Sequence, residues 1–234
     1  MGEATALQYM NAYHRSMRVA HLIARSYNPH ARVYISLEHN WTSRHNEKCH
    51  TGREMLELLE DFSRVEGDFE WGLAYHPYPE SLGNPRTWED TLVDFSFDTP
   101  LITFKNIEVI DAWMKRPEAR YLGKHVRDIQ FTEQGPNSPD YSEKSLRDQA
   151  AAMAYVWKKM AGLDSVSMFH FHNWVDNRYE GGLRIGLRKY PDDKDDPHGK
   201  KPVWYVFQAL GTDGEDAAVE FAKGVIGIED WSEI

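Results

Sequence analysis

The sequence predicts an α/β fold in which strands and helices alternate along the chain. Short runs of β-branched and apolar residues, typical of buried strands, alternate with longer segments whose apolar residues recur every three or four positions, typical of helices. Each of the four predicted strands ends in polar residues. Parallel α/β sheets bind ligands at the carboxyl ends of their strands. The sequence therefore predicts both the fold class and the end of the sheet that carries a site.

The chain opens with a predicted helix from about Glu3 to Asn28, which ends there because the next residue is a proline and the residue before proline avoids the α region. The first strand, Val33 to Leu37, is a β-branched and apolar run. Thr51 and Glu54 have the spacing of a capping box, and the apolar stripe that follows them predicts the second helix.

The rest of the chain continues the alternation without an internal repeat or a linker, so residues 1–234 are interpreted as a single domain. The remaining predicted elements are, in order, a strand from Phe69 to Tyr75, a helix from about Phe104 to Met114, a strand from Val126 to Thr132, a helix that includes Leu146 to Met160, a strand from Ser165 to Phe171, a last helix from near Val203, and an amphipathic tail.

Composition and charge exclude several classes of partner. The formal net charge of −10 argues against nucleic acid, because phosphate binding needs a positive field. No apolar run is long enough to predict a membrane span. Cys49 is the one cysteine, which excludes an internal disulfide and a cysteine-based zinc site. A neutral or acidic carbohydrate remains compatible with this charge, and the sequence leaves the oligomeric state open.

The number of strands distinguishes between the two parallel architectures. No glycine-rich phosphate loop follows any strand, which disfavours a doubly wound nucleotide-binding sheet. A closed (β/α)₈ barrel needs eight strands in about 250 residues, and this chain offers four in 234. A free four-stranded parallel sheet would leave two edges unpaired. We therefore expect the C-terminal half of a (β/α)₈ TIM barrel, truncated before its first four units.

Four stretches resemble a bacterial barrel family that is catalogued as domain of unknown function 5722 and regarded as glycoside-hydrolase-like. The stretches that carry the resemblance are Ala31–His39, Trp71–Pro79, Asp98–Ile107 and Phe131–Gly135. The similarity runs from about Tyr9 to about Gly186 and implies that the four strands are the fifth to eighth of the barrel. It also implies an extracellular or periplasmic location, and it brings no known substrate.

More distantly, the layout is similar to the clan of retaining glycosidases with this barrel. That clan has its acid/base glutamate at the end of the fourth strand and its nucleophile at the end of the seventh. The resemblance therefore implies that Glu133 is the catalytic nucleophile, and that the acid/base residue lies upstream of Met1. A solvated loop glutamate is the alternative reading of Glu133. On this interpretation the full-length parent is a glycosidase and the isolated chain is inactive.

Other polar and aromatic residues at the strand ends are candidates for contact with a carbohydrate substrate. We expect substrate binding from Glu38, His39, Asn40, Trp41, His76, Tyr78, His172 and Trp174. Structural roles remain the alternative for three of them: an ion pair for Glu38, a satisfied buried histidine for His76, and core packing for Trp174.

His170 and His172 provide a rival hypothesis. They share one face of the last strand because side chains alternate along a strand, and a His-x-His pair suits a metal. A metal-dependent hydrolase would use them with His39, His76 and Glu133. A third possibility is a barrel that binds carbohydrate without cleaving it. The glycosidase interpretation requires neither a metal nor a cofactor.

Overall fold

The computed structural model describes residues 4–234, which form a four-stranded parallel sheet with helices between the strands. The strands pair in the order β1-β2-β3-β4, which is also their order in the sequence. The elements are α1 Ala6–Tyr27, β1 Val33–Glu38, α2 Gly52–Glu66, β2 Trp71–His76, α3 Glu108–Met114, β3 Ile129–Gln134, α4 Glu143–Met160, β4 Val166–Phe171, α5 Pro202–Ala209 and α6 Glu215–Ile226, with 3-10 turns at Thr87–Glu89, Phe104–Asn106 and Trp231–Glu233.

The predicted α/β class and the four predicted strands are confirmed. Helix α1 begins at Ala6 because Thr5 and Gln8 form a complete capping box, and the helix ends before Asn28. The predicted start at Glu3 lies outside the described residues. At α2, the Thr51 side chain accepts from the Glu54 backbone N–H as expected.

The main differences from the predicted elements concern β3 and α3. The third strand begins at Ile129 rather than Val126, because Arg127 turns into the interior, where its guanidinium donates to the backbone oxygens of Phe69, Trp71 and Ala119. The segment predicted as one helix from Phe104 to Met114 is a 3-10 turn followed by the short helix α3.

One face of the sheet packs against the helices and forms the core. Ile35, Leu73, Ile129 and Phe131 are almost wholly buried on this face, in one cluster with apolar residues of α2, α3 and α4. Burial of apolar surface of this kind is the main source of stability in such a fold. Packing on this face therefore holds the strands against the helices.

The opposite face is polar and partly open. Tyr34 donates a 2.6 Å hydrogen bond to Asp128, and Gln130 donates to the Tyr34 hydroxyl at 2.9 Å. Gly72 makes this possible, because a Cβ at that position would lie 2.4 Å from the Tyr34 ring. Ser36 and other residues on this face are exposed. A sheet covered by helices on one face, with strands in sequence order, is the arrangement expected of consecutive βα units.

The first strand lies at an edge of the sheet. Its Ser36 backbone N–H is turned away from β2 and donates to the Tyr13 hydroxyl of α1 at 3.3 Å. A side chain from α1 thus satisfies one of the polar groups that an edge strand leaves unpaired. Within residues 4–234, no helix combines the length and the apolar character needed to cross a membrane.

Candidate active site

Glu133 is the next-to-last residue of β3 and lies at the carboxyl end of the sheet. Its side chain is half-buried, and its Oε1 accepts a 3.0 Å hydrogen bond from the Tyr78 hydroxyl. Tyr78 follows β2 and is only 7% exposed. The segment after the neighbouring strand therefore supplies a buried donor that orients this carboxylate.

The electrostatic environment keeps Tyr78 protonated. Burial is the largest cause that raises the pKa of Tyr78 far above its usual value, followed by the charge of Glu133 and the hydrogen bond to it. The charges of Glu38 and Glu180 raise this pKa further. Tyr78 is thus a hydrogen-bond donor throughout the physiological pH range, and three carboxylates act on the same hydroxyl.

On the β1 side of this pair, His76 bridges two strands. Its Nδ1 lies 3.4 Å from Glu38 Oε1, and its Nε2 lies 3.0 Å from the Thr132 hydroxyl. The hydrogen bond with His76 is the largest cause that lowers the pKa of Glu38. Since the Glu38 side chain is 64% exposed, solvent screens this contact and it contributes little to stability.

On the β4 side, His172 lies beside the end of β3. Its backbone N–H donates to Gln134 O at 2.8 Å. The chain passes over its carbonyl at Gly135, where a Cβ would lie only 2.2 Å from His172 O. Any residue other than glycine at 135 would push apart the two strand ends that carry Glu133 and His172.

Glu180 is a site residue that the sequence prediction missed. It lies in the loop after β4, and its carboxylate accepts from His172, Asn173 and Asn177. We use the name strand-end cluster for Glu38, His76, Tyr78, Glu133, His172 and Glu180. The sequence offered one signal for Glu180: Asn173, Asn177 and Glu180 follow one another at spacings of four and three residues. In a helix this spacing would place the three side chains on one face, but in a loop it does not.

Trp41 lacks the exposed surface that its predicted contact with substrate requires. Its side chain is fully buried, its indole N–H donates to Phe97 O at 2.9 Å, and its ring packs edge-on against Trp113. A ring without exposed surface cannot stack on a sugar from solvent. Trp41 is a core residue because the chain turns inward directly after β1.

The remaining predicted contacts, His39, Asn40 and Trp174, lie in the segments that follow β1 and β4. His39 is half-buried, and burial is the largest cause that lowers its pKa. Asn40 makes a long 3.4 Å contact with Ser43 inside its own loop. Trp174 is 60% exposed and meets Trp204 edge-on, with ring centroids 4.8 Å apart, so one of its faces is free to stack.

The donor set that a metal-dependent hydrolase needs is not assembled in the part of the chain that the structure describes. Across residues 4–234, no three His, Cys, Asp or Glu side chains come together as metal ligands would. His170 contacts the sulfur of Met168, and His172 Nε2 is directed at Glu180. The two histidines of the His-x-His pair therefore have separate partners.

Comparison with known proteins gives a family but no curated relative. A family model described as "Family of unknown function (DUF5722)" matches residues 1–234. No curated protein matches the sequence.

Two solved structures are similar at low identity. Native xylanase 10B from Thermotoga maritima has 13% identity and a TM-score of 0.49, over 89% of this chain and 52% of that one. A family 39 glycoside hydrolase from the gut symbiont Bacteroides cellulosilyticus WH2 has 17% identity and a TM-score of 0.47, over 70% of this chain and 31% of that one. The chain thus spans about half of the first protein and less of the second. Because both TM-scores are below 0.5, neither likeness establishes a shared activity.

Proposed function

The chain belongs to DUF5722, and we propose that it is the part of a (β/α)₈ glycoside hydrolase that carries the catalytic nucleophile, Glu133. The observation that carries this proposal is the Tyr78–Glu133 hydrogen bond of 3.0 Å at the carboxyl end of a parallel sheet. A buried tyrosine that donates to a half-buried carboxylate fixes the direction of that carboxylate, which a nucleophile requires.

The proposed reaction is a double displacement with retention of configuration. A Glu133 oxygen attacks the anomeric carbon and forms an ester bond to the sugar, while the glycosidic C–O bond breaks and the leaving oxygen takes a proton from a second carboxylic acid. Water then attacks the same carbon, gives its proton to that second group and releases Glu133. Tyr78 holds Glu133 in place during both steps and stays protonated itself.

The proposal assigns the acid/base glutamate to a strand outside residues 1–234. In retaining enzymes the two carboxyl groups lie about 5–5.5 Å apart across the bond that is cleaved. Among residues 4–234, no strand pairs with the outer edge of β1, at whose end Glu38 lies, and a preceding strand that paired there would bring such a residue close. The extracellular or periplasmic location belongs to the same proposal, and fractionation of the source cells would test it.

The test uses the longer parent protein and a mechanism-based probe. A 2-fluoro glycoside traps the glycosyl-enzyme intermediate, and peptide mass spectrometry then locates the label. We expect the label on Glu133, and we expect Glu133→Gln to lower kcat/KM by at least about 10³-fold because the nucleophile is lost. Glu118→Gln is the matched control, since Glu118 is exposed and next to Ala119, which contacts Arg127 at the opposite end of the sheet.

Two results would refute the assignment. One is a label on another residue of an active parent. The other is full activity of Glu133→Gln. A parent that binds glycans, shows no turnover and takes up no label would instead be a carbohydrate-binding barrel.

A further inference from the structure

Glu180 is held by three side chains that are neutral or titratable, rather than by a permanent cation. Asn173 Nδ2 donates to both carboxylate oxygens at 3.1 and 3.0 Å, and Asn177 Nδ2 donates to one of them at 3.0 Å. His172 Nε2 lies 3.2 Å from the other oxygen. Within residues 4–234, neither lysine nor arginine forms an ion pair with Glu180, so the carboxylate faces histidine and amide groups.

This contact determines which nitrogen of His172 carries the hydrogen. An ionised carboxylate only accepts hydrogen bonds, so His172 Nε2 must be the donor. In a neutral imidazole the other nitrogen, Nδ1, is then an acceptor. None of the described residues hydrogen-bonds Nδ1, and the His172 side chain is 34% exposed. His172 therefore presents an unused acceptor.

His76 provides an internal comparison, because it is the other histidine of the strand-end cluster. Both of its nitrogens are engaged, one with Glu38 and one with Thr132. Its side chain is only 12% exposed. His76 thus has no nitrogen left for a ligand, whereas His172 has one. The two histidines lie at similar strand ends, but of the two only His172 has a ring nitrogen available to a ligand.

The His172–Glu180 pair lies beside the proposed nucleophile. His172 joins the end of β3 through its backbone bond to Gln134, the residue after Glu133. The charge of Glu180 acts on the Tyr78 hydroxyl that orients Glu133. A sugar bound at Glu133 would carry hydroxyl groups, which are the kind of donor that the open His172 Nδ1 accepts from.

We propose that Glu180 is a positioning residue, which fixes His172 as the Nε2–H tautomer so that His172 Nδ1 accepts a hydrogen bond from a hydroxyl group of the bound sugar. The ligand part rests on the proposed function. Asn173 and Asn177 hold the Glu180 carboxylate, and His172 is the residue that touches the ligand.

Nitrogen NMR of the 234-residue chain tests the positioning step without any turnover. Long-range ¹H–¹⁵N correlation of histidine rings at about pH 8, where an ordinary imidazole is neutral, distinguishes the two tautomers. The spectrum of His172→Ala identifies the His172 signals among those of the eleven histidines. We expect the Nε2–H pattern in the wild type and averaged nitrogen shifts in Glu180→Ala, because the acceptor that selects the tautomer is gone.

Two further variants make the test specific. Glu180→Gln keeps the size of the side chain, and its one amide oxygen should stay with Asn173 and Asn177, so that its NH2 group faces His172 Nε2. Because that NH2 group is a donor, this variant should shift His172 toward the Nδ1–H pattern, which tests the inference even if Glu180→Ala fails to fold. Tyr179→Ala alters the same loop at a side chain that is 97% exposed, and should leave the His172 signals unchanged. An Nδ1–H pattern in the wild type, or an unchanged His172 pattern in folded Glu180→Ala, would overturn the inference.

Kinetics of the parent protein test whether Glu180 acts through His172. We expect His172→Ala and Glu180→Ala each to lower kcat/KM by about tenfold, and the double variant to lower it by about tenfold as well. A double variant that loses about a hundredfold would contradict the coupling. If the NMR results hold and the parent neither binds nor cleaves any glycoside, the proposed function fails while the positioning of His172 by Glu180 stands.

Discussion

A buried ion pair anchors the loop that carries His172 and Glu180. Lys201 and Asp176 both have fully buried side chains, and Lys201 Nζ donates to the two Asp176 oxygens at 3.0 and 3.3 Å. Tyr141 donates to the same carboxylate at 2.7 Å, and Lys201 also donates to Arg184 O at 2.9 Å. Burial lowers the pKa of Lys201 to about 8, with Asp176 opposing the shift. Burial also raises the pKa of Asp176, with Lys201 and the Tyr141 hydroxyl opposing that shift.

We predict that Lys201→Met destabilises the chain by about 3–5 kcal/mol. Methionine has nearly the same length, so the change removes the charge and its donors and leaves the packing largely intact. Asp176 is then a buried carboxylate with the Tyr141 hydroxyl as its remaining side-chain donor. A domain of this size is stable by about 5–15 kcal/mol in total, so the loss is a large share. In the Asp176→Asn and Lys201→Met double variant, much of this loss should be recovered, because no charge is left unpaired.

Urea unfolding followed by far-UV circular dichroism measures this prediction on the 234-residue chain. Lys194→Met is the control, because Lys194 is exposed in the same loop, and its change should stay within about 0.5 kcal/mol. The reasoning is refuted if Lys201→Met costs no more than Lys194→Met, or if the double variant is less stable than Lys201→Met alone.

Three further predictions concern the strand-end cluster and the polar face of the sheet. Tyr78→Phe removes the donor to Glu133 and should lower kcat/KM of the parent by about tenfold with folding retained; an unchanged rate would deny that Tyr78 orients the nucleophile. Gly72→Ala should cost about 1–3 kcal/mol in urea unfolding, because its Cβ would lie 2.4 Å from the Tyr34 ring; a neutral change would contradict this packing. Burial, and then the hydrogen bond to Asp128, raise the pKa of Tyr34 to about 12 from its ordinary value of 10.0. A pKa that is raised by folding contributes stability that is complete below about pH 10 and is lost as the pH rises through about 12, so unfolding free energies at increasing pH should fall less steeply in Tyr34→Phe than in the wild type.

The strands could be predicted from sequence because their apolar runs are dictated by burial on the helix-packed face. Ile35 and Leu73 lie where the pattern placed them, almost wholly buried against the helices. The start of β3 could not be predicted, because Val126 reads as a strand residue and nothing local reveals that Arg127 bonds three distant backbone oxygens. Those partners are brought together by the tertiary fold alone.

The same distinction applies to the site. Glu133 and Tyr78 could be selected because Glu133 lies at the end of β3 and Tyr78 just after β2, and the ends of parallel strands meet. Trp41 was misassigned because its position after β1 is the same in sequence whether the chain turns inward or outward; the contact with Trp113 that decides this lies in a distant segment. Glu180 was missed because its role depends on the path of a loop, which no periodicity encodes.

The two ends of the sheet use their carboxylates differently, and this difference favours a ligand at the carboxyl end. At the other end, Asp68 pairs with the buried Arg127 at 2.6 Å. In the described part of the chain, no lysine or arginine pairs with Glu38, Glu133 or Glu180, which have only histidine, tyrosine and asparagine side chains as partners. A carboxylate that is paired with a guanidinium contributes little negative potential to its surroundings. Three carboxylates without a lysine or arginine partner produce a negative potential at this end of the sheet. Such a potential would stabilise a positively charged ligand or transition state, and the transition state of the proposed glycoside cleavage is oxocarbenium-like. A ligand site is the physical reason we offer for leaving charge unpaired where the strands end.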